Sequence, residues 1–224
     1  MQKYKHIIFG LGMAAECAAY EFGLNNIDAF CVNKEFVNQS KMLGLPVLSY
    51  EDVCLNKFEK IKFFVATGYS NLNRSRAKIV SQLTIDGWQF FSIIPNSYYP
   101  LLNGIGINCF LMSGSNIQPF VKLKNNVFIW SGATICHHCE LGNNIWITAG
   151  ATIAGNTVIG DNVFIGVNAT IVSGINIGSN VFIGAGALVT KDVPDNGVIL
   201  AKGSDLMGIK SDLFIKFLEN NGGY

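Results

Sequence analysis

From residue 105 onward an aliphatic side chain falls at every sixth position, running from Ile105, Leu111 and Ile117 without a break to Ile177, Ile183 and Val189. No other feature restricts the fold of this chain so tightly. Two positions before these residues stand small or β-branched ones, among them Ala133, Ala151, Thr157, Val163, Ala169, Val181 and Ala187. Residues i−2 and i of an extended segment share a face, so both series point inward and the residue between them points out. Each hexapeptide is a short strand and a turn.

A longer period lies on top of the first. GNNIWITAGATI, GDNVFIGVNATI and GSNVFIGAGALV begin at 142, 160 and 178, with a weaker copy, KNNVFIWSGATI, at 124. Eighteen residues make three hexapeptides, so the chain advances one coil per eighteen residues and equivalent positions stack. The pattern predicts a triangular parallel β-helix of about five coils over residues 105–194. Asn126, Asn144, Asn162 and Asn180 form one column, as expected at a turn with positive φ. Phe110, Phe128, Trp146, Phe164 and Phe182 form an outward-pointing column. An apolar ladder of this kind marks a covered surface, and the expected cover is another subunit or the C-terminal segment SDLFIKFLEN, read as a short helix within an extension spanning 195–224.

Residues 1–95 lack the period. Apolar runs KHIIFG, IDAFCV, KFFVAT and QFFSII alternate with helix-like MAAECAAYEFG and NRSRAKIVSQL, which predicts a small Rossmann-like α/β domain with a parallel sheet. The opening lysines and apolar run resemble a signal peptide, but Gly10, Gly12 and Glu16 interrupt it in the manner of a strand, a glycine turn and a helix. The GLG turn places amides at a helix N-terminus, where phosphates bind. Ala15 stands where the third glycine of a dinucleotide fingerprint belongs, and Asn33 where a ribose-binding acid would be sought, so a redox dinucleotide is not expected. Nucleotide binding and a packing turn both remain open for these glycines.

CHHC, residues 136–139, has the look of a metal or redox site. Cys139 occupies an inward small-residue position and Cys136 follows the inward Ile135; neighbouring side chains of an extended chain diverge, so the four cannot converge on one zinc. The one other histidine, His6, lies in the front domain. A three-histidine zinc site like that of β-helical carbonic anhydrases would have to be built from repeated chains. Redox chemistry needs an exposed, acidified thiol, which a solenoid turn does not supply. Cys139 reads as a small buried hydrophobe. Eighteen residues beyond His137 and His138 come Gly155 and Asn156, and eighteen further on Ser173 and Gly174. The fold accepts small turn residues there, so two imidazoles are not an architectural requirement; a role in moving a proton is favoured over surface histidines without one.

With 16 Lys and Arg against 15 Asp and Glu, the net charge of +1 offers nothing to nucleic acid or to an anionic membrane. No apolar run reaches the ~18 residues of a membrane span. Six cysteines without a convincing export signal read as reduced thiols in the cytoplasm.

A small front domain followed by a left-handed parallel β-helix, with GATICHHCELG and then ITAGATIAGNTVIGDNVFIGVNATI, resembles the bacterial sugar acyltransferases that include sialic acid O-acetyltransferase, the UDP-4-amino-sugar N-acetyltransferase of bacillosamine synthesis and GDP-perosamine N-acetyltransferase. The resemblance implies acetyl-CoA, or another acyl-CoA, as co-substrate, with no metal. It implies a nucleotide-linked amino sugar as acceptor and a role in making surface polysaccharide. His137 would be the general base and His138 its neighbour, where relatives often carry an acid. Ala154, Gly155, Ser173 and Gly174 would line the CoA channel, as would Trp146, which stands where many relatives have a second histidine near the thioester carbonyl. The nucleotide would lie against the front domain, with Gly10, Gly12, Asn33 and Gly68 as its contacts, although Ala14 replaces the histidine of the relatives' GxGGHG loop. The resemblance also implies a homotrimer with each active site between neighbouring β-helices. Two rivals are a protein that keeps the fold and binds CoA or nucleotide sugar without turnover, and a zinc-dependent carbonic anhydrase.

Overall fold

The computed structural model describes residues 4–55 and 60–220; the outermost residues of the expected front domain and C-terminal extension, 1–3 and 221–224, lie outside them. The chain starts with β1 (Lys5–Phe9), turns through Gly10 to Gly12 and enters α1 (Met13–Phe22). Helix α1 is rich in alanine, the best helix former, and buries Ala15, Ala18 and Ala19, a spacing that puts one small-residue face against the sheet. It stops at Gly23, whose φ of 89° is costly for other residues.

The remaining front-domain strands are β2 (Ala29–Val32), β3 (Lys41–Met42), β4 (Leu45–Ser49), β5 (Ile61–Val65) and β6 (Gln89–Phe90), with helices α2 (Tyr50–Leu55) and α3 (Arg74–Ile85) between them. Their sheet order is β3-β4-β2-β1-β5-β6. All neighbours pair in parallel except the β3–β4 hairpin. The central strand β1 buries Ile7, Ile8 and Phe9 in succession, as a parallel strand covered on both faces must.

The β-helix is a three-faced prism. Its first face stacks Phe110–Leu111, Phe128–Ile129, Trp146–Ile147, Phe164–Ile165, Phe182–Ile183 and Val198–Ile199; the second carries the strands from Asn116–Ile117 to Leu188–Val189; the third carries those from Leu102–Ile105 to Asn176–Ile177. Successive coils pair in parallel with an offset of eighteen residues, for example Phe128 with Trp146 and Thr134 with Thr152. Pairing extends from Leu102 to Ile199, beyond the 105–194 span of the repeat, because the first and last strands join the faces without obeying the hexapeptide spacing. The two inward series fill the prism axis with fully buried Ile, Val, Leu and Ala.

At the edge between the third and first faces, Asn108, Asn126, Asn144, Asn162 and Asn180 all have φ between 56° and 63°. Their amides form a ladder, each Nδ2 donating to the next Oδ1 at 2.8, 2.9, 3.1 and 3.1 Å. Asn suits the position twice, tolerating the left-handed backbone and satisfying its neighbour above and below.

The cover of the aromatic column is a correction. Phe110, Phe128, Trp146 and Phe164 are buried, but by the front domain of the same chain. Phe64 of β5 stacks on Phe128 at 5.5 Å, and Tyr69 packs on Trp146 and Phe164 at 5.4 and 4.7 Å. The C-terminal helix α4 (Ser211–Asn220) leaves Leu213, Phe214, Ile215 and Phe217 exposed. Sequence periodicity identifies a face that needs covering; it carries no information about which distant segment arrives.

A polar clamp closes the same interface. Arg76 of α3 is completely buried, its guanidinium 4.2 Å from the centre of the Phe128 ring and 5.1 Å from that of Trp146. Nε donates to Asn126 Oδ1 at 2.8 Å, Nη1 to the Gly68 carbonyl and Asn73 Oδ1, and Nη2 to the carbonyls of Asn126 and Ile145. Burial pushes this guanidinium down to about 9, so it is charged at neutral pH. Asn73 Nδ2 reaches the Val163 carbonyl and Arg74 Nη2 reaches Asn180 Oδ1. The front domain therefore grips the asparagine ladder over several coils.

Candidate active site

Two groups of sequence-predicted residues come together, and they lie on opposite sides of the prism. His137 and His138 occupy the turn between Thr134–Ile135 and Glu140–Leu141, at the edge between the second and third faces. Both are exposed. Their Nδ1 atoms are 3.1 Å apart, a hydrogen bond in which one ring donates and the other accepts. The His137 amide donates to Gln118 Oε1 at 3.0 Å, and its carbonyl accepts from the Asn156 amide of the next coil at 3.0 Å.

Gly155 lies directly beneath the His137 ring. A methyl group at that position would stand 2.6 Å from Cε1, 2.9 Å from Nε2 and 3.0 Å from Nδ1. Glycine therefore lets the imidazole rest on the backbone of the coil below. The Gly155 amide has no hydrogen-bond partner among the described residues. Ser173 and Gly174 continue the column, the Gly174 amide donating to the Gly155 carbonyl at 3.0 Å. Ala154 has its amide on the Ile171 carbonyl, while its own carbonyl accepts from Thr157 Oγ1 and Cys139 Sγ inside the coil. Only its side chain is left to meet a ligand.

Positions 120, 138, 156 and 174 share a left-handed backbone. Asn156, His138 (φ 60°) and Gly174 accept it, whereas Phe120 (φ 70°) is a bulky residue in it. The Phe120 and His138 rings pack at 4.8 Å. Strain of this kind gathers at functional sites. Phe120 gave no signal in the sequence, because it falls where the repeat is least regular.

Cys139 is fully buried in the coil, and burial pushes its thiol up to about 11. It is neutral near pH 7 and no nucleophile. Among the described residues no three His, Cys, Asp or Glu side chains are grouped to hold a metal ion. No helix among them is long and apolar enough to cross a membrane.

The second group surrounds a cleft of about 590 Å³ between the front domain and the first face, lined by Gly10, Gly12, Met13, Ala14, Cys17, Thr67, Gly68, Tyr69, Trp130 and Trp146 among others. Gly10 has φ 137°, and a methyl there would meet the Ala66 carbonyl oxygen at 2.8 Å, so the turn into α1 demands glycine. At Gly12 nothing lies within 4 Å of an added methyl, which leaves the start of α1 open to the cleft. Gly10, Gly12 and Gly68 thus meet as grouped in the sequence. Asn33 does not join them; it leads from β2 into the short turn Lys34–Phe36, its carbonyl accepting from the Phe36 amide. Trp146, grouped by sequence with the CoA residues around Gly155, lies in this cleft instead, because its strand belongs to the face opposite the histidine edge. A larger concavity of about 670 Å³ follows the third face, where Lys122 and Glu140 pair across its strands. It is an open groove of the prism surface, whereas the cleft is walled by two domains.

A model of the hexapeptide repeat of succinyl-transferase matches residues 156–191. No curated protein matches the chain by sequence. Solved structures do match over nearly full length. The acetyltransferase domain of PglB from Neisseria gonorrhoeae FA1090 is 25% identical with a TM-score of 0.75, the match covering 91% of this chain and 99% of that one. It has also been solved with acetyl coenzyme A. A variant of GDP-perosamine N-acetyl transferase from Caulobacter crescentus, solved with CoA and GDP-perosamine, is 22% identical with a TM-score of 0.73, covering 92% and 97%. WeeI from Acinetobacter baumannii AYE is 21% identical with a TM-score of 0.61, covering 92% and 100%. The chain has the fold of these acetyltransferases and carries a hexapeptide repeat.

Proposed function

We propose that the chain transfers the acetyl group of acetyl-CoA to an amino or hydroxyl group of a nucleotide-linked amino sugar, in the cytoplasm, for surface polysaccharide. The observation that carries the proposal is the histidine edge: an exposed imidazole seated on Gly155 and fixed through Nδ1 by a second imidazole 3.1 Å away. With His137 donating from Nδ1, its Nε2 keeps a lone pair free to take a proton. The acceptor nitrogen or oxygen attacks the thioester carbonyl, His137 takes its proton, the carbon–sulfur bond breaks, and the proton passes to the departing thiolate. The Gly155 amide, which has no partner among the described residues, receives the developing oxyanion.

The acceptor occupies the cleft at Gly10, Gly12 and Gly68, and CoA runs beside Ala154, Gly155, Ser173 and Gly174. Within one chain the whole prism separates cleft from base, since the histidine edge is opposite the face that carries the front domain. The active site is therefore completed between copies: His137 of one chain faces the cleft and Trp146 of the next, in a trimer with threefold closure.

Thiol release from acetyl-CoA, measured with a panel of UDP- and GDP-linked amino sugars, tests this reading. Sugar-dependent release that collapses in His137→Ala supports it. Absence of release with every acceptor, in a protein that binds CoA, refutes catalysis and leaves a binding protein on the same fold.

A further inference from the structure

The corner that carries His138 holds one residue its backbone does not favour. Positions 138, 156 and 174 are His, Asn and Gly, all of which take a positive φ readily, but the coil above puts Phe120 into the same conformation at 70°. A bulky side chain there is strained, and such strain persists only where the surroundings impose it. Core packing offers little in return, because Phe120 is 55% exposed. What its ring does touch is His138, centre to centre at 4.8 Å and inclined by 36°.

The contact belongs to a short clamp. Gln118, Pro119 and Phe120 stand above the histidine turn, and each holds a different part of it. Gln118 Oε1 accepts from the His137 amide at 3.0 Å, the Pro119 carbonyl accepts from the His138 amide at 3.3 Å, and the Phe120 ring lies against the His138 imidazole. The Phe120 amide is itself fixed to the Leu101 carbonyl at 2.8 Å. His138 thus has main chain and ring held from one coil, with its Nδ1 3.1 Å from that of His137. The pairing decides the chemistry at the far side of His137. While Nδ1 carries the hydrogen and donates it, Nε2 keeps the lone pair that a base needs. An imidazole released from that partner is free to carry its hydrogen on Nε2 instead.

We propose that Phe120 is a positioning residue: by packing on His138 it keeps the two Nδ1 atoms in contact and holds His137 in the tautomer whose Nε2 accepts the proton. The proposal rests on the reading of His137 as the base. It also accounts for the strain at 120, where asparagine or glycine would suit the backbone and do nothing for the imidazole pair.

The test compares Phe120→Asn, which suits the left-handed backbone and lacks the ring, with Phe120→Tyr, which keeps the ring, both in the full chain. The first readout is nitrogen NMR of histidine-labelled protein at about pH 8.5, well above the ~6.5 of an ordinary imidazole, where neutral tautomers are seen. The sequence holds three histidines, and His6, packed on Phe22 and Phe91 in the front domain, is the internal control. The parent and Phe120→Tyr should show His137 with its hydrogen on Nδ1. Phe120→Asn should move it toward Nε2, with His6 unchanged and a melting temperature no lower than the parent's. The second readout is thiol release from acetyl-CoA. In Phe120→Asn kcat should fall about tenfold, part of the ~10²–10⁴-fold that general-base catalysis contributes, with KM for both substrates unchanged; Phe120→Tyr should keep the parent's kcat. Identical His137 nitrogen signals in folded Phe120→Asn and the parent would overturn the proposal. So would a rise in KM with kcat intact, which would make Phe120 a ligand contact, or an equal loss of kcat in Phe120→Tyr. The spectra need no turnover: a parent without transferase activity, or a fully active His137→Ala, refutes the base, while the spectra decide the contact on their own.

Discussion

Replacing Gly155 by alanine puts a methyl group where the His137 ring now rests. The new carbon would be 2.6 Å from Cε1, and ordinary contact begins at 3.4 Å, so the ring has to retreat by 0.8 Å. His137 is exposed, and its side chain swings outward at little cost to the fold. The backbone at 155 is not left-handed, so alanine adopts it without strain and stability should stay the same or rise by about 0.4–1 kcal/mol. Catalysis is far less tolerant, because a base displaced by roughly 1 Å costs on the order of 100-fold in rate, or about 2.7 kcal/mol in the barrier. Thiol release at saturating acetyl-CoA and acceptor should therefore fall by about two orders of magnitude in a protein whose melting temperature is unaltered. Full turnover in well-folded Gly155→Ala would refute the argument, showing either that the coil beneath does not position the imidazole or that His137 is not the base.

Arg76→Lys replaces five donor contacts with at most three, so at least two hydrogen bonds to the buried cation are lost from the domain interface. At about 1.5–3 kcal/mol per hydrogen bond to a charged group, urea unfolding should show a loss of about 3–6 kcal/mol, and a loss under about 1 kcal/mol would contradict the clamp. Cys136→Ser and Cys139→Ser should keep turnover, because attack on the thioester is direct; a collapse in folded Cys136→Ser would point to a covalent intermediate. At pH 8 iodoacetamide should modify the half-buried Cys17, Cys54 and Cys136 well before Cys109 and Cys139, whose thiols burial pushes up to about 11. Equal labelling of all five in the folded protein would count against that burial.

The β-helix was legible because its constraint is local and repeated. One inward residue in six and one asparagine in eighteen are visible without knowing any distant contact, and they fixed faces, edges and the stacking of His137 over Gly155. The front domain was legible as a class, since alternating apolar runs and helix-like segments carry their own periodicity. What failed depends on pairs far apart in sequence. Arg76 sits in a helix segment where an arginine looks like any solvated charge, and its partner Asn126 is 50 residues away. The aromatic column announced a covered surface, yet Phe64 and Tyr69, which supply the cover, belong to a region with no matching period. Trp146, grouped with the CoA residues by way of the resemblance, lies on the face away from the histidines of its own chain, a relation its place in the repeat already carries.

The clamp also sets an order of events at the ribosome. Arg74 and the Asn180 it grips are 106 residues apart, and Asn73 is 90 residues from Val163. At about 5–20 residues per second, the front domain leaves the exit tunnel roughly 5–20 s before the last coil it must hold has been made. During that interval the underside of β5, with Phe64, and the unsheathed Arg76 face solvent with nothing to rest on. The nascent chain therefore carries a sticky, transient surface whose lifetime is set by translation speed, and slow codons between 90 and 180 would lengthen its exposure.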